Sequence, residues 1–305
     1  MKNDYDFLIV YNTCGIKRDN TEHYIKCLQT ILDSKISYKY KLVVSSCLNS
    51  KNCRDRLRQA FGDLVEIVTI DKVVTVNVSY NKTCINMLSK YGPFKGYLYL
   101  DSGIDFENNE NALERGFESF LKNKYGILSF QASNDHGLHN SKGATFPVTG
   151  KDYVMPLGGS VNGHAELFCH SIFETYGSLW PDVFSAFCTE STFSFLAASV
   201  GKRQAVLKDI ILNHLKSVDG ASSSSPHVST TNGTPWNNLL CGRNANDFIH
   251  DDVAIKAGLG YEECGNIMIH NKDAYHNGLP KDPESLCRSI RKYFYLSSED
   301  ICYDS

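Results

Sequence analysis

Apolar runs and helical stripes alternate through the first half of the chain. Residues 7–11 (FLIVY) are continuously apolar between polar neighbours, the pattern of a strand covered on both faces. Over residues 21–32, Tyr24, Ile25, Leu28, Ile31 and Leu32 recur at helical spacing, with Asn20 or Thr21 placed to cap the helix. A second strand is predicted over 42–46 (LVVSS), a short amphipathic helix over 54–61, and a third strand over 64–70 (LVEIVTI). Residues 77–91 then read as helix and 97–100 (YLYL) as a fourth strand; 110–123 reads as helix and 126–130 as strand. Helical spacing returns over 165–176 and 191–199. Strands alternating with helices at these intervals predict an α/β fold built from βαβ units, with right-handed crossovers and a mixed, mostly parallel sheet.

Two stretches break the alternation. Residues 133–163 are loose and rich in Gly, His and Asn, and 218–242 are polar and flexible in composition, with Trp236 near the end. The second stretch reads either as a linker or as a loop that orders over a ligand, with Trp236 as its apolar anchor. The expected organisation is one α/β unit over 1–217, this loop or linker over 218–242, and a C-terminal extension over 243–305.

Composition narrows the function classes. The 305 residues carry a formal net charge of −3 and contain no Lys/Arg-rich block, so nucleic acid is not an expected partner. The apolar run near the N-terminus is too short for a signal-peptide core or a membrane span, which predicts a soluble, cytoplasmic protein. Eleven scattered cysteines without a C-x-x-C pair argue against a disulfide framework or zinc knuckle. The first strand runs into Asn12-Thr13-Cys14-Gly15 rather than G-x-G-x-x-G, and neither a P-loop nor a G-x-S-x-G elbow is present.

What remains is acids and an imidazole at element ends. The fourth strand ends in Asp101-Ser102-Gly103-Ile104-Asp105, and carboxyl ends of strands in open α/β sheets are where ligands bind. The same residue types also favour a plain turn. Glu190 opens the helix at 191–199, where backbone N–H groups would orient a general base, or where it would merely suit the helix dipole. His214 follows Ile210-Ile211-Leu212-Asn213 and reads as a metal ligand or as a satisfied histidine at a buried strand end. Asp101, Asp105 and His214 together would suit Mn²⁺ or Mg²⁺ bridging phosphate oxygens.

In this order the features resemble the GT-A class of nucleotide-sugar glycosyltransferases, especially the family 2-like group. Asn81 in VSYNKTCINML stands where that group has an Asn before its D-x-D strand, and LYLDSGID stands for the strand itself. Pro156-Leu157-Gly158-Gly159 with Glu166-Leu167-Phe168 resembles the acceptor segment, and Trp180-Pro181-Asp182-Val183-Phe184 followed by Cys188-Thr189-Glu190 resembles the loop leading to the catalytic acid. Residues 198–203 resemble the G-x-R/K end of the following helix. The likeness covers about residues 5–217, with a nucleotide-binding half to about residue 105 and an acceptor half after it. It departs in two places: the second aspartate of D-x-D would fall at Gly103, and Ser45-Ser46-Cys47 replaces the acid usual after the second strand.

The resemblance implies a transferase that moves a sugar from a nucleoside-diphosphate donor to a glycan or glycolipid hydroxyl, with inversion and with Mn²⁺ or Mg²⁺. It implies Asn12, Thr13, Ser46, Asn81, Asp101 and Ser102 near the donor, Asp101, Asp105 and His214 at the metal, and Glu190 as general base; Trp236 joins the donor residues from the loop reading of 218–242 and not from the resemblance. A sugar-phosphate nucleotidyltransferase shares the nucleotide-binding half, and a degenerate glycan-binding member is a further alternative.

Overall fold

The computed structural model describes residues 4–14, 20–71, 76–133, 148–149, 152–155, 164–181 and 193–215, with Glu284, Cys287, Arg288, Ile290 and Arg291. The first half forms β1 (Phe7–Cys14), α1 (Thr21–Leu32), β2 (Tyr40–Cys47), α2 (Lys51–Phe61), β3 (Val65–Ile70), α3 (Val76–Tyr91), β4 (Gly96–Leu100) and a two-residue β5 (Ile104–Asp105). There follow α4 (Ala112–Asn123), β6 (Ile127–Ala132), β7 (Val148–Thr149), β8 (Asp152–Val154), β9 (Ala165–Cys169), α5 (His170–Tyr176), α6 (Phe193–Ser199) and β10 (Gln204–His214).

One sheet runs β3-β2-β1-β4-β9-β6-β10-β8-β7, with β5 paired to β10 off this path. β1, β2, β3 and β4 are mutually parallel, as βαβ crossovers require, and β6 pairs parallel with β10. Along the path only β9 and β8 run against the others. This is the predicted α/β class with a mixed sheet.

β1 is continuously apolar over residues 7–11 because both faces are covered. Phe7 stacks on Phe117 of α4 with centroids 3.9 Å apart, and Tyr11 meets Tyr24 of α1 edge-on, while Asn12 on the opposite face accepts from Ser79 of α3. The α3 side is closed by an aromatic cluster in which Trp180 packs edge-on against Tyr99 at 4.6 Å and against Phe193 at 5.2 Å. The C-terminal extension reaches this body: Ile290 is buried in the core, and Arg291 donates to the Thr175 carbonyl at 2.8 Å.

The expected helix over 165–176 is two elements. Residues 165–169 (AELFC) form β9, inserted between β4 and β6 and wholly buried, and the helix begins only at His170. A short strand covered on both faces has no polar alternation, so periodicity does not separate it from a buried helical turn. The expected segments at 218–242 and most of 243–305 lie outside the described residues.

Candidate metal centre

Three strand ends converge beyond β4. Antiparallel pairing sets Leu100 opposite Ala165, so the next residue on one strand, Asp101, faces the residue before the other, His164; the Asp101 N–H donates to the His164 carbonyl at 2.8 Å. β10 arrives from the other side, its His214 paired with Ile104 and the following Leu215 N–H bound to the Gly103 carbonyl at 2.8 Å. His164 Nδ1 lies 3.3 Å and His214 Nε2 3.8 Å from Asp101 Oδ2, and the imidazole centroids are 4.2 Å apart. One donor atom from each of Asp101, His164 and His214 falls within 4.8 Å of the other two.

The electrostatics suit a cation. Burial on its own would raise the Asp101 pKa, but the His164 hydrogen bond, the charges of His164 and His214 and the Ser102 N–H together hold it below the ordinary value. Asp101 therefore keeps its negative charge while only 7% exposed. One carboxylate and two imidazole donors this close together could hold a divalent metal ion.

Behind the centre, the Asp101–Ser102 turn is pinned. Asp101 Oδ1 accepts from the Ser102 N–H at 2.7 Å, and the Ser102 carbonyl accepts from the Tyr11 hydroxyl and from His23. Desolvation keeps Tyr11 protonated, with its pKa well above the ordinary value, so it remains a donor. Ser102 thus sits at the site through its backbone.

Asp105 is directed elsewhere. It is buried on β5 with Oδ1 accepting from the Glu107 N–H and Oδ2 3.8 Å from Lys26 Nζ, and it is not among the three converging residues. Of the expected Asp101, Asp105 and His214 set, the structure brings Asp101 and His214 together with His164 and leaves Asp105 apart on two-residue β5, paired to β10.

At the ends of β1 and β2 a second polar group assembles. Ser79 Oγ donates to Asn12 Oδ1 at 3.0 Å and lies 2.7 Å from Ser45 Oγ, while Thr13 Oγ1 donates to the Ser45 carbonyl and receives from the Asn49 amide. Register places Thr13 beside Ser46, whose buried hydroxyl, like Asn49 Oδ1, has no hydrogen-bond partner. Asn12, Thr13 and Ser46 thus share one strand-end layer.

Asn81 binds the backbone of residues 179 and 180. Its amide Nδ2 donates to the Trp180 carbonyl at 2.8 Å, and its Oδ1 accepts from the Leu179 and Trp180 N–H groups. These bonds clamp the 179–180 backbone. Glu190 and Trp236 lie outside the described residues.

His164 is the residue the sequence reading missed. The helical reading of 165–176 hid the strand AELFC, and its pairing with β4, which sets His164 across from Asp101, is seen only in the structure.

No protein-family model matches the chain, and no curated protein matches it by sequence. Solved structures do match. A mannosyltransferase from Pyrobaculum calidifontis in complex with GDP-Man and Mn²⁺ aligns with a TM-score of 0.53 at 12% identity, covering 95% of this chain and 87% of that one. GalNAc-T7 with UDP, GalNAc and Mn²⁺ aligns with a TM-score of 0.52 at 10% identity, over 94% of this chain and 57% of that one. S. aureus TarS residues 1–349 align at 0.48 and 12% identity, over 96% and 92%. The chain has the fold of GT-A-type glycosyltransferases. Among the described residues no helix is long and apolar enough to cross a membrane.

Proposed function

We propose that the chain is a glycosyltransferase that moves a sugar from a nucleoside diphosphate to a hydroxyl of a glycan or glycolipid, with a divalent cation at Asp101, His164 and His214. The observation that carries this reading is the convergence of those three side chains at the carboxyl end of β4, where an α/β sheet presents its ligands, in a GT-A-type fold. The bound ligands of two structural neighbours support it: one holds GDP-Man and Mn²⁺, the other UDP, GalNAc and Mn²⁺. A cation there would neutralise charge on the departing diphosphate.

The chain's own residues divide the remaining work. Asn12, Thr13 and Ser46 form the strand-end layer for the nucleoside, and Tyr11 and His23 fix the turn that carries Asp101. Glu190 takes the proton of the acceptor hydroxyl as that oxygen bonds to the anomeric carbon; the carbon–oxygen bond to the diphosphate breaks and its electron pair leaves on phosphate. That displacement inverts the anomeric centre. Trp236 would cover the donor and exclude water.

Calorimetry with UDP, GDP and CMP, each with and without Mn²⁺, tests the reading. At least one nucleotide should bind in a Mn²⁺-dependent manner, and Asp101→Asn should remove the metal dependence. Glu190→Gln should abolish transfer and spare donor binding. Failure of every nucleotide to bind would overturn the proposal.

A further inference from the structure

We propose that Gln131 is a positioning residue for the Asp101, His164 and His214 site: its side-chain amide holds a three-residue excursion in β10 that sets how far along the sheet, and on which face, His214 arrives beside Asp101. The inference rests on the cation site of the preceding section and adds what places one of its imidazoles.

β10 reaches the site in two stretches of different register. The first is held on both sides: Ala205 and Val206 pair with Leu128 and Ser129 of β6 and with Val154 and Tyr153 of β8. In the second, Ile211 and Leu212 pair with Gln131 and Ala132 of β6, and Asn213 and His214 with Asp105 and Ile104 of β5. Five steps along β10, from Val206 to Ile211, lie against two along β6, from Ser129 to Gln131, so three residues of β10 are extra. Bulges of this kind re-aim the side chains that follow them.

The excursion has two consequences for His214. An unbroken ladder would carry every residue beyond Val206 three positions further along β6, about 10 Å at the rise of a strand. Three is also odd, and side chains alternate faces, so residues past the excursion present the opposite face from the one unbroken pairing would give them. Without it His214 would lie beyond Asp101 and on the other face of the sheet. With it, His214 Nε2 stands 3.8 Å from Asp101 Oδ2.

Gln131 closes the excursion with one amide. Its Nε2 donates to the Leu207 carbonyl at 3.1 Å and to the Lys208 carbonyl at 3.4 Å, where β10 leaves the β6 ladder. Two residues on, Ser133 grips the far stretch: its N–H donates to the Leu212 carbonyl at 2.8 Å, and its Oγ accepts from the His214 N–H at 3.1 Å. Residues 131–133 thus hold β10 on both sides of the excursion. Lys208 and Asp209 are exposed, so water would satisfy the same carbonyls if the amide were removed. What the amide adds is a fixed path for the strand, and groups behind a ligand decide its orientation.

The test compares Gln131→Met, which keeps the length of the side chain and removes its donors, with the full wild-type chain. Mn²⁺ is titrated into both by calorimetry, bound Mn²⁺ is examined by pulsed electron paramagnetic resonance for coupling to ¹⁴N, and the crystal structure of the variant is solved. The variant should melt within about 4 °C of the wild type, since water replaces the amide. It should bind Mn²⁺ at least about tenfold more weakly and couple to one imidazole nitrogen where the wild type couples to two, with His214 displaced from Asp101 in the crystal. Tyr125→Phe is the control: it removes a buried hydroxyl bond to Asp152 just before β6, and should lower the melting temperature while leaving Mn²⁺ affinity and both nitrogens unchanged. Should Gln131→Met not fold, Gln131→Asn, shorter by one methylene, takes the same measurements. Wild-type Mn²⁺ affinity with both nitrogens in the variant, or equal weakening in Tyr125→Phe, would overturn the proposal. A wild type that binds no Mn²⁺ counts against the cation site, and the crystal structure of the variant then decides the role of Gln131 by itself: a displaced His214 supports it, and an unmoved one ends it.

Discussion

Asn81 grips both polar ends of Trp180: its Oδ1 accepts from the Trp180 N–H at 3.0 Å and its Nδ2 donates to the Trp180 carbonyl at 2.8 Å. A third bond, from the Leu179 N–H at 3.2 Å, uses the same oxygen. All are buried, and they hold the indole against Tyr80, Tyr99 and Phe168. Neighbouring Asn77 extends the clamp by donating to the Pro181 carbonyl at 2.7 Å. Asn81→Ala strands three backbone groups in the interior, and each buried unsatisfied group costs about 1–3 kcal/mol, so a loss on the order of 3 kcal/mol is expected. Urea unfolding monitored by tryptophan fluorescence measures it. A loss below about 1 kcal/mol would show that water replaces the amide.

Gly103→Ala carries the smallest side chain that meets the His214 ring and the Leu215 carbonyl. Relief requires His214 to move away from Asp101 Oδ2, now 3.8 Å distant. Mn²⁺ affinity should fall at least about tenfold, since one of three donors is displaced. Retention of wild-type affinity in a Mn²⁺ titration would show that the turn yields without disturbing the centre.

The parts of this fold that sequence disclosed are those whose periodicity is unambiguous. FLIVY had to be a strand covered on both faces, and the stripe Tyr24, Leu28, Ile31 had to be a helix; both are present with these residues buried. Asp101 was legible because an apolar strand ends on it. His164 was not, since its place depends on β9 running antiparallel between β4 and β6, a long-range pairing that five wholly buried residues do not announce. The place of Asp105 was not legible for the complementary reason: two residues of strand, too short to show a period, carry it onto β10 and apart from Asp101. Asn81 was singled out only by its place in the GT-A-like order of features, and its bonds to the 179–180 backbone are visible only in the structure.

Tyr11 links β1 to the turn that carries Asp101 through its hydroxyl on the Ser102 carbonyl. Tyr11→Phe keeps the ring and its edge contact with Tyr24 but removes that donor, leaving His23 to hold the carbonyl. A cost of about 1–2 kcal/mol in chemical denaturation is expected. Mn²⁺ affinity should weaken by a few-fold as Asp101 gains freedom, because partners behind a ligand fix its orientation. An unchanged affinity alongside the stability loss would confine Tyr11 to the core.

Glu66 governs part of the acid limb of stability. One of its oxygens receives Lys90 Nζ at 2.7 Å, and the other meets the Tyr91 hydroxyl at 2.7 Å and Lys41 Nζ at 3.2 Å. Burial alone would raise its pKa, but these three donors outweigh it and the folded-state value lies below the ordinary 4.5. A carboxylate depressed on folding stabilises the native state above its unfolded pKa and loses that contribution as pH falls through the folded value. The wild type should therefore lose more stability than Glu66→Gln as pH drops from about 5 through the region below 4.5, while at pH 7 the variant is the less stable of the two, by about 1 kcal/mol or less for a partly exposed cluster. Thermal melts of both proteins across that range give the comparison. Parallel pH profiles would mean that Lys41 and Lys90 stabilise Glu66 no better in the folded chain than solvent does in the unfolded one.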